Sequence, residues 1–178
     1  MSISITFELS DTDLNHFREL MKSALDKASQ YTSSEILEKA HEVIAEMKDS
    51  NLPGFVEERL GCLETLINAL EDEEWQMPED EKSEILTSLA YFAEPQDLVP
   101  DHIPGLGYID DAIMIELVIQ DLSLDLDAYR RFYDFKTTEE KRRGDEANVN
   151  RESWIAASRK EIRSDFRRRR NKSRRLFR

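Results

Sequence analysis

The segment from Leu89 to Asp111, LAYFAEPQDLVPDHIPGLGYIDD, holds three of the chain's five prolines and two of its five glycines between two apolar runs. Pro95, Pro100 and Pro104 each fix φ at about −65° and remove a backbone donor, whereas Gly105 and Gly107 tolerate positive φ. A connection that is stiff at three points and bendable at two holds one shape, so it acts as a structural turn between the runs it joins. Before it, Ile85, Leu86, Leu89, Phe92 and Ala93 recur on one side of a helix that starts near Glu79 and stops at Pro95. After it, Ile109 to Leu122 is apolar almost all round, the pattern of a helix buried at the centre of a bundle.

The order of residues in this turn carries a resemblance. An apolar helix ends in Tyr91-Phe92, the stretch Pro95-Gln-Asp97-Leu-Val-Pro100-Asp101-His-Ile-Pro104 follows, and Gly107-Tyr-Ile-Asp110-Asp111 opens the next helix. This closely resembles the core signature of the YkvA-like family, a domain of unknown function, over roughly residues 85–135. The resemblance implies a helical fold and places Asp97, Asp101, Asp110 and Asp111 at the family's acidic positions. It implies no activity.

Elsewhere the periodicity is also helical. Leu14, Phe17, Leu20, Met21, Leu25 and Ala28 form one stripe after the Ser10 to Asp13 cluster, which suits a helix N-cap. A Thr32 to Glu35 capping box opens a second stripe of Ile36, Leu37, Ala40, Val43, Ile44 and Met47. The Asn51-Leu-Pro53-Gly54 break leads to a third, from Val56 to Leu70. Beyond the turn, Asp125 to Phe135 continues helically, and a Thr137 to Glu140 capping box predicts a further short helix before Gly144. Only Ile3, Ile5, Phe7 and Leu9 alternate with polar residues in the manner of a strand. A lone strand leaves its edges unpaired, so it either lies on the helices or pairs with a second copy and makes a homodimer. The expected fold is therefore all-α, a mainly helical bundle with a short N-terminal β-strand.

Cys62 is the single cysteine; it has no disulfide partner within the chain and reads as a small hydrophobe in a helical stripe. The N-terminus lacks the basic and apolar regions of a signal peptide, and Glu116 and Asp121 break the longest apolar stretch well short of a membrane span. These features place the chain in the cytoplasm, with the inner membrane face as a peripheral site. The formal net charge of −13 is segregated: 31 acidic residues face 9 basic ones before Lys136, and 7 face 16 from Lys136 onward. The organisation read from this is an extended N-terminal arm at 1–10, an acidic helical body at 11–143 and a basic helical arm at 144–178.

Two chemistries compete for the function. Asp97, Asp101, Asp110 and Asp111 fall within fifteen residues and could converge on a hard cation, Mg²⁺ or Ca²⁺, with His102 as a further ligand, giving a metal-dependent enzyme. The same carboxylates read equally as caps of short turns and as favourable charges at the start of the central helix, with no cofactor. The spacing is not that of a calcium loop, and no phosphate-binding loop, dinucleotide fingerprint or nucleophile elbow is present. Glu116 interrupts the central apolar run and requires a partner, for which Arg59, Arg130 and Arg131 are the candidates.

The basic arm carries the second chemistry. The last twenty residues contain eleven Lys or Arg against two acids, with Arg163, Arg167, Arg168, Arg169, Arg170, Lys172, Arg174, Arg175 and Arg178 as the candidate anion-binding set. Arginine's fork favours phosphate. Trp154, Ile155, Ile162 and Phe166 form a thin apolar stripe among them. The partner is an anionic macromolecule or surface: a nucleic-acid backbone, or an anionic membrane taking Trp154, Phe166, Leu176 and Phe177 as anchors. Nucleic acid is favoured over membrane. The third reading docks the arm on the chain's own acidic body or leaves it free in solvent. The expected function is a non-enzymatic interaction or adaptor protein.

Overall fold

A computed structural model describes residues 6, 8–50, 52–93 and 107–176, without the side chains of residues 28, 93 and 174–176. It is all-α. The order is α1 (Asp11–Ala28), α2 (Ser33–Asp49), α3 (Gly54–Glu71), α4 (Glu79–Leu89) extended by a 3-10 turn (Ala90–Ala93), then α5 (Ile109–Asp121), α6 (Ser123–Arg143), a 3-10 turn (Gly144–Glu146) and α7 (Arg151–Leu176). No strand occurs among the described residues; Ile3, Ile5 and Phe7 of the expected strand lie outside them.

The helix starts follow from local chemistry. Ser10 Oγ accepts from the Asp13 amide while the Ser10 amide donates to Asp13 Oδ2 at 2.8 Å, and Thr32 and Glu35 form the same reciprocal box at 2.7 Å. Asp13 and Glu35 are both held below the usual carboxylate range by these bonds. The box expected at Thr137 does not form. Its hydroxyl bonds back to the Tyr133 carbonyl at 3.0 Å, so α6 runs unbroken to Arg143 and ends at Gly144, which has φ +55°. The break falls earlier, at Leu122, where the chain leaves helical geometry (φ −105°, ψ 19°) between α5 and α6.

The core centres on α3, which buries Val56, Leu60, Leu63, Leu66, Ile67 and Ala69 and packs against α5 and α6. Helices α1 and α2 close over the 3-10 turn after α4, where Tyr91 and Phe92 are buried edge to face. Tyr108, at the exit of the proline turn, takes a left-handed φ of +65°, unusual for a bulky residue. Its hydroxyl is 2.8 Å from Ser50 Oγ, which ties the start of α5 to the end of α2. Glu116 finds its partner in Arg59, at 3.0 Å.

The last helix belongs to this core. Ile155, Ile162 and Phe166 are buried in the same cluster as Leu63 and Phe132, and α7 packs along α6. Ile155→Ala is therefore expected to cost about 3 kcal/mol in urea unfolding within a single transition. A cost under about 0.5 kcal/mol would mean that α7 is not part of the cooperative unit.

Candidate functional site

The helical period divides the basic segment into two faces. On the inner face, Ile155, Ser158, Ile162, Arg163 and Phe166 are buried, and Arg159 and Arg170 are largely covered. On the outer face, Lys160, Ser164, Arg167, Arg168, Asn171 and Lys172 are exposed.

The arginines of α7 meet acceptors on the body. Arg151 bonds Glu74 Oε1 at 2.8 Å and Glu140 at 2.6 Å, and Glu74 lies below its usual range chiefly because of Arg151. Arg159 Nη1 donates to the Glu74 carbonyl at 2.6 Å. Arg163 Nη2 donates to Glu81 Oε2 at 2.6 Å, with both side chains more than nine-tenths buried. Its guanidinium lies over the Trp75 ring, 4.8 Å from the centroid. Its Nη1 is buried without a hydrogen-bond partner, beside this cation–π contact. Arg169 pairs with Asp127 and Arg170 with Glu84.

Trp75 is held in position by this network and by its neighbours. It packs against Phe132 and Tyr129, and the Tyr129 hydroxyl donates to Asp72 Oδ2 at 3.2 Å. Lys136 reaches the same Asp72 oxygen at 2.9 Å. Burial alone would raise Asp72, but Lys136 and the Glu74 and Tyr129 donors outweigh it and hold the carboxyl low. Burial pushes the Tyr129 hydroxyl well above its ordinary range, with Asp72 adding to the rise.

Asp125 lies in the first turn of α6. Burial pushes it up to about 6, partly opposed by Arg170 and reinforced by Glu81 and Glu84.

Of the other candidates, Asp110 and Asp111 lie in the first turn of α5, where negative charge is favourable, and Asp110 is buried. Asp97, Asp101, His102, Pro95, Pro100, Pro104 and Gly105 lie outside the described residues, as do the side chains of Arg174, Arg175 and Arg178. Among the described residues, no three His, Cys, Asp or Glu side chains gather as a metal site. Gly107 sits in the turn before Tyr108. Cys62 is partly buried, with Arg130 Nη2 at 3.1 Å from its sulfur.

Sequence reasoning offered Arg131 only as a partner for Glu116 and missed its contact with α7. From α6 it bonds Asp165 of α7 at 2.7 Å, and Arg168 bonds the other oxygen of the same carboxylate at 2.8 Å. Arg168 and Arg131, in that order, hold Asp165 below the usual range. Spacing along the chain gives no signal for this meeting, because 34 residues separate Arg131 from Asp165.

A family model described as "Protein of unknown function (DUF1232)" matches residues 81–117. The match runs through α4 and the proline turn into α5, and it begins at the residue that pairs with Arg163. No curated protein and no solved structure matches the chain.

Two outcomes are expected here. Glu81→Leu leaves a buried cation unpaired and should cost about 3 to 5 kcal/mol, whereas adding Arg163→Leu should restore most of it; chemical denaturation of both variants decides. Asp125 is raised from 3.8 in the folded state, so the stability tied to its proton is fully present below pH 3.8 and lost as pH rises through about 6. Asp125→Asn should then stabilise the protein at neutral pH by on the order of 2 kcal/mol, and far less near pH 4, in paired thermal melts.

Proposed function

We propose that the protein is a non-enzymatic interaction protein in which the helical body presents the outer face of α7 to the phosphate backbone of a nucleic acid. The observation that carries this reading is the division of labour on α7. Its inner face is committed to the body, and Arg167, Arg168 and Lys172 project from the other side.

The same observation favours nucleic acid over a membrane surface. An interfacial helix needs its apolar stripe free to enter the lipid. Here Phe166 is buried and Trp154 is packed against the core, under Arg143 and Arg151. A row of exposed cations on a rigid rod, with no free apolar face among the described residues of that rod, suits a backbone of phosphates. No helix among the described residues is long and apolar enough to cross a membrane. We read residues 81–117 as the YkvA-like core, acting as the platform for α7 through Glu81 and Glu84. A cytoplasmic setting goes with this reading.

Binding to single-stranded RNA, duplex DNA and anionic vesicles across a salt series tests it. Nucleic acid should bind with a steep salt dependence, and Arg167→Gln with Lys172→Gln should reduce the slope of log K against log salt by about 1.5. Vesicle binding without nucleic-acid binding would transfer the reading to lipid, and binding unchanged in this variant would exclude Arg167 and Lys172 as contacts.

A further inference from the structure

The inner arginines of α7 belong to the body, but a second meeting of α6 with α7 points outward. There an open cleft of about 500 Å³ is lined by Arg131 of α6 and by Lys160, Glu161, Ser164, Asp165 and Arg168 of α7. Its two arginine side chains are 44% and 78% exposed, so an incoming group reaches them without any movement of the helices. Three cations and a hydroxyl line one small space, against two carboxylates.

What sets this cleft apart from an ordinary charged surface is how Asp165 uses it. One carboxylate oxygen takes Arg131 Nη1 at 2.7 Å and the other takes Arg168 Nη2 at 2.8 Å. Two guanidinium groups from different helices therefore converge on one oxyanion. A phosphate offers oxygens in the same kind of array, and arginine forks already held around such a group lose little freedom on receiving it. We propose that this cleft seats one backbone phosphate of the bound nucleic acid, with Arg131, Lys160, Ser164 and Arg168 as its ligands and Asp165 as the built-in occupant that it displaces.

The inference deepens the nucleic-acid reading and rests on it. It adds Arg131, Lys160 and Ser164 to the contact surface and gives Asp165 a regulatory role. Because Arg168 and Arg131 hold Asp165 in its ionised form, the carboxylate competes with phosphate throughout the neutral range. The exchange moves a hydrogen-bonded anion and forms no covalent bond. Binding is then weaker than the cations alone would give, and it is confined to ligands that bring more than one phosphate, since the remaining contacts along α7 must offset displacement of the carboxylate.

The test is a fluorescence-anisotropy titration of the full chain with a labelled single-stranded oligothymidylate at fixed salt, repeated with inorganic phosphate as competitor. Asp165→Asn should tighten oligonucleotide binding about threefold or more, and Arg131→Gln should weaken it by a similar factor. Glu152→Gln, which removes the same charge from the far end of α7, should leave it nearly unchanged. Arg131→Lys keeps the charge and loses the fork, so it should weaken binding as well and covers the case in which Arg131→Gln misfolds. Inorganic phosphate should compete no better than chloride at matched ionic strength if the seat serves a backbone; specific competition would make it a site for free phosphate and overturn the backbone assignment. Equal effects of Asp165→Asn and Glu152→Gln would reduce Asp165 to one more surface charge and sink the cleft. Wild-type affinity in both Arg131 variants, with binding still weakened in Arg167→Gln with Lys172→Gln, would sink the cleft and leave the broader reading standing. No binding by wild type or by Asp165→Asn would remove both.

Discussion

The buried pair of Arg163 and Glu81, roofed by Trp75, is the contact on which the arrangement of the last helix depends. An unpaired charge at either position would carry a large desolvation cost, so the two residues must be buried together or not at all. Arg163 lies on α7, Glu81 in the first turn of α4, and Trp75 in the connection before it. One contact thus joins three parts of the chain that local propensity would leave independent. Apolar packing by Ile155, Ile162 and Phe166 supplies most of the attraction, but it is tolerant of rotation and sliding. The ion pair is not, because the guanidinium must face Glu81 and the indole together. It sets which face of α7 is inward.

That choice governs the electrostatics of the whole molecule. With the helix oriented by Arg163, Arg151 and Arg170 fall against Glu74 and Glu84, the exposed Arg169 pairs with Asp127, and part of the body's negative charge is neutralised. The match is incomplete at one point. Glu81 and Glu84 pair with Arg163 and Arg170, and Asp125, buried beside them, binds its proton more tightly, chiefly through burial and further through the two glutamates. The cations that remain, Arg167, Arg168 and Lys172 among them, are exposed. A chain of net charge −13 can in this way present a basic surface.

The features legible in the sequence were those fixed within a few residues. Ser10 with Asp13, and Thr32 with Glu35, act across a single turn, and the apolar stripes of α1 to α5 follow the helical period whatever they pack on. Glu116 was legible for a different reason, because a carboxylate in an apolar run has few partners that could satisfy it, and Arg59 is one of them. The two faces of α7 were not legible, since a run of arginines looks the same whichever side is buried. Arg163 and Arg167 are alike in sequence, and only the position of Glu81 in space separates them. Arg131 was hidden for the same reason, its partner Asp165 being brought near only by the docking of α7 on α6. Thr137 and Glu140 show the converse error. A capping pair has meaning only where a helix begins, and in the middle of α6 the hydroxyl bonds back to its own turn instead.

The two sides of α7 also respond to different solution variables. Salt screens exposed charges over a few ångströms but reaches buried pairs weakly. Arg167, Arg168 and Lys172 stand in solvent, so their attraction for an anion falls steeply as salt rises. Arg163 and its carboxylate are out of reach of mobile ions, and the apolar residues beside them are not weakened by salt at all. The helix therefore stays docked under conditions that weaken any anion contact of its outer face. A docking helix that loosened with salt would lose its platform together with any ligand; this one keeps the platform, so under the proposed function binding would be reversible without any unfolding of the body.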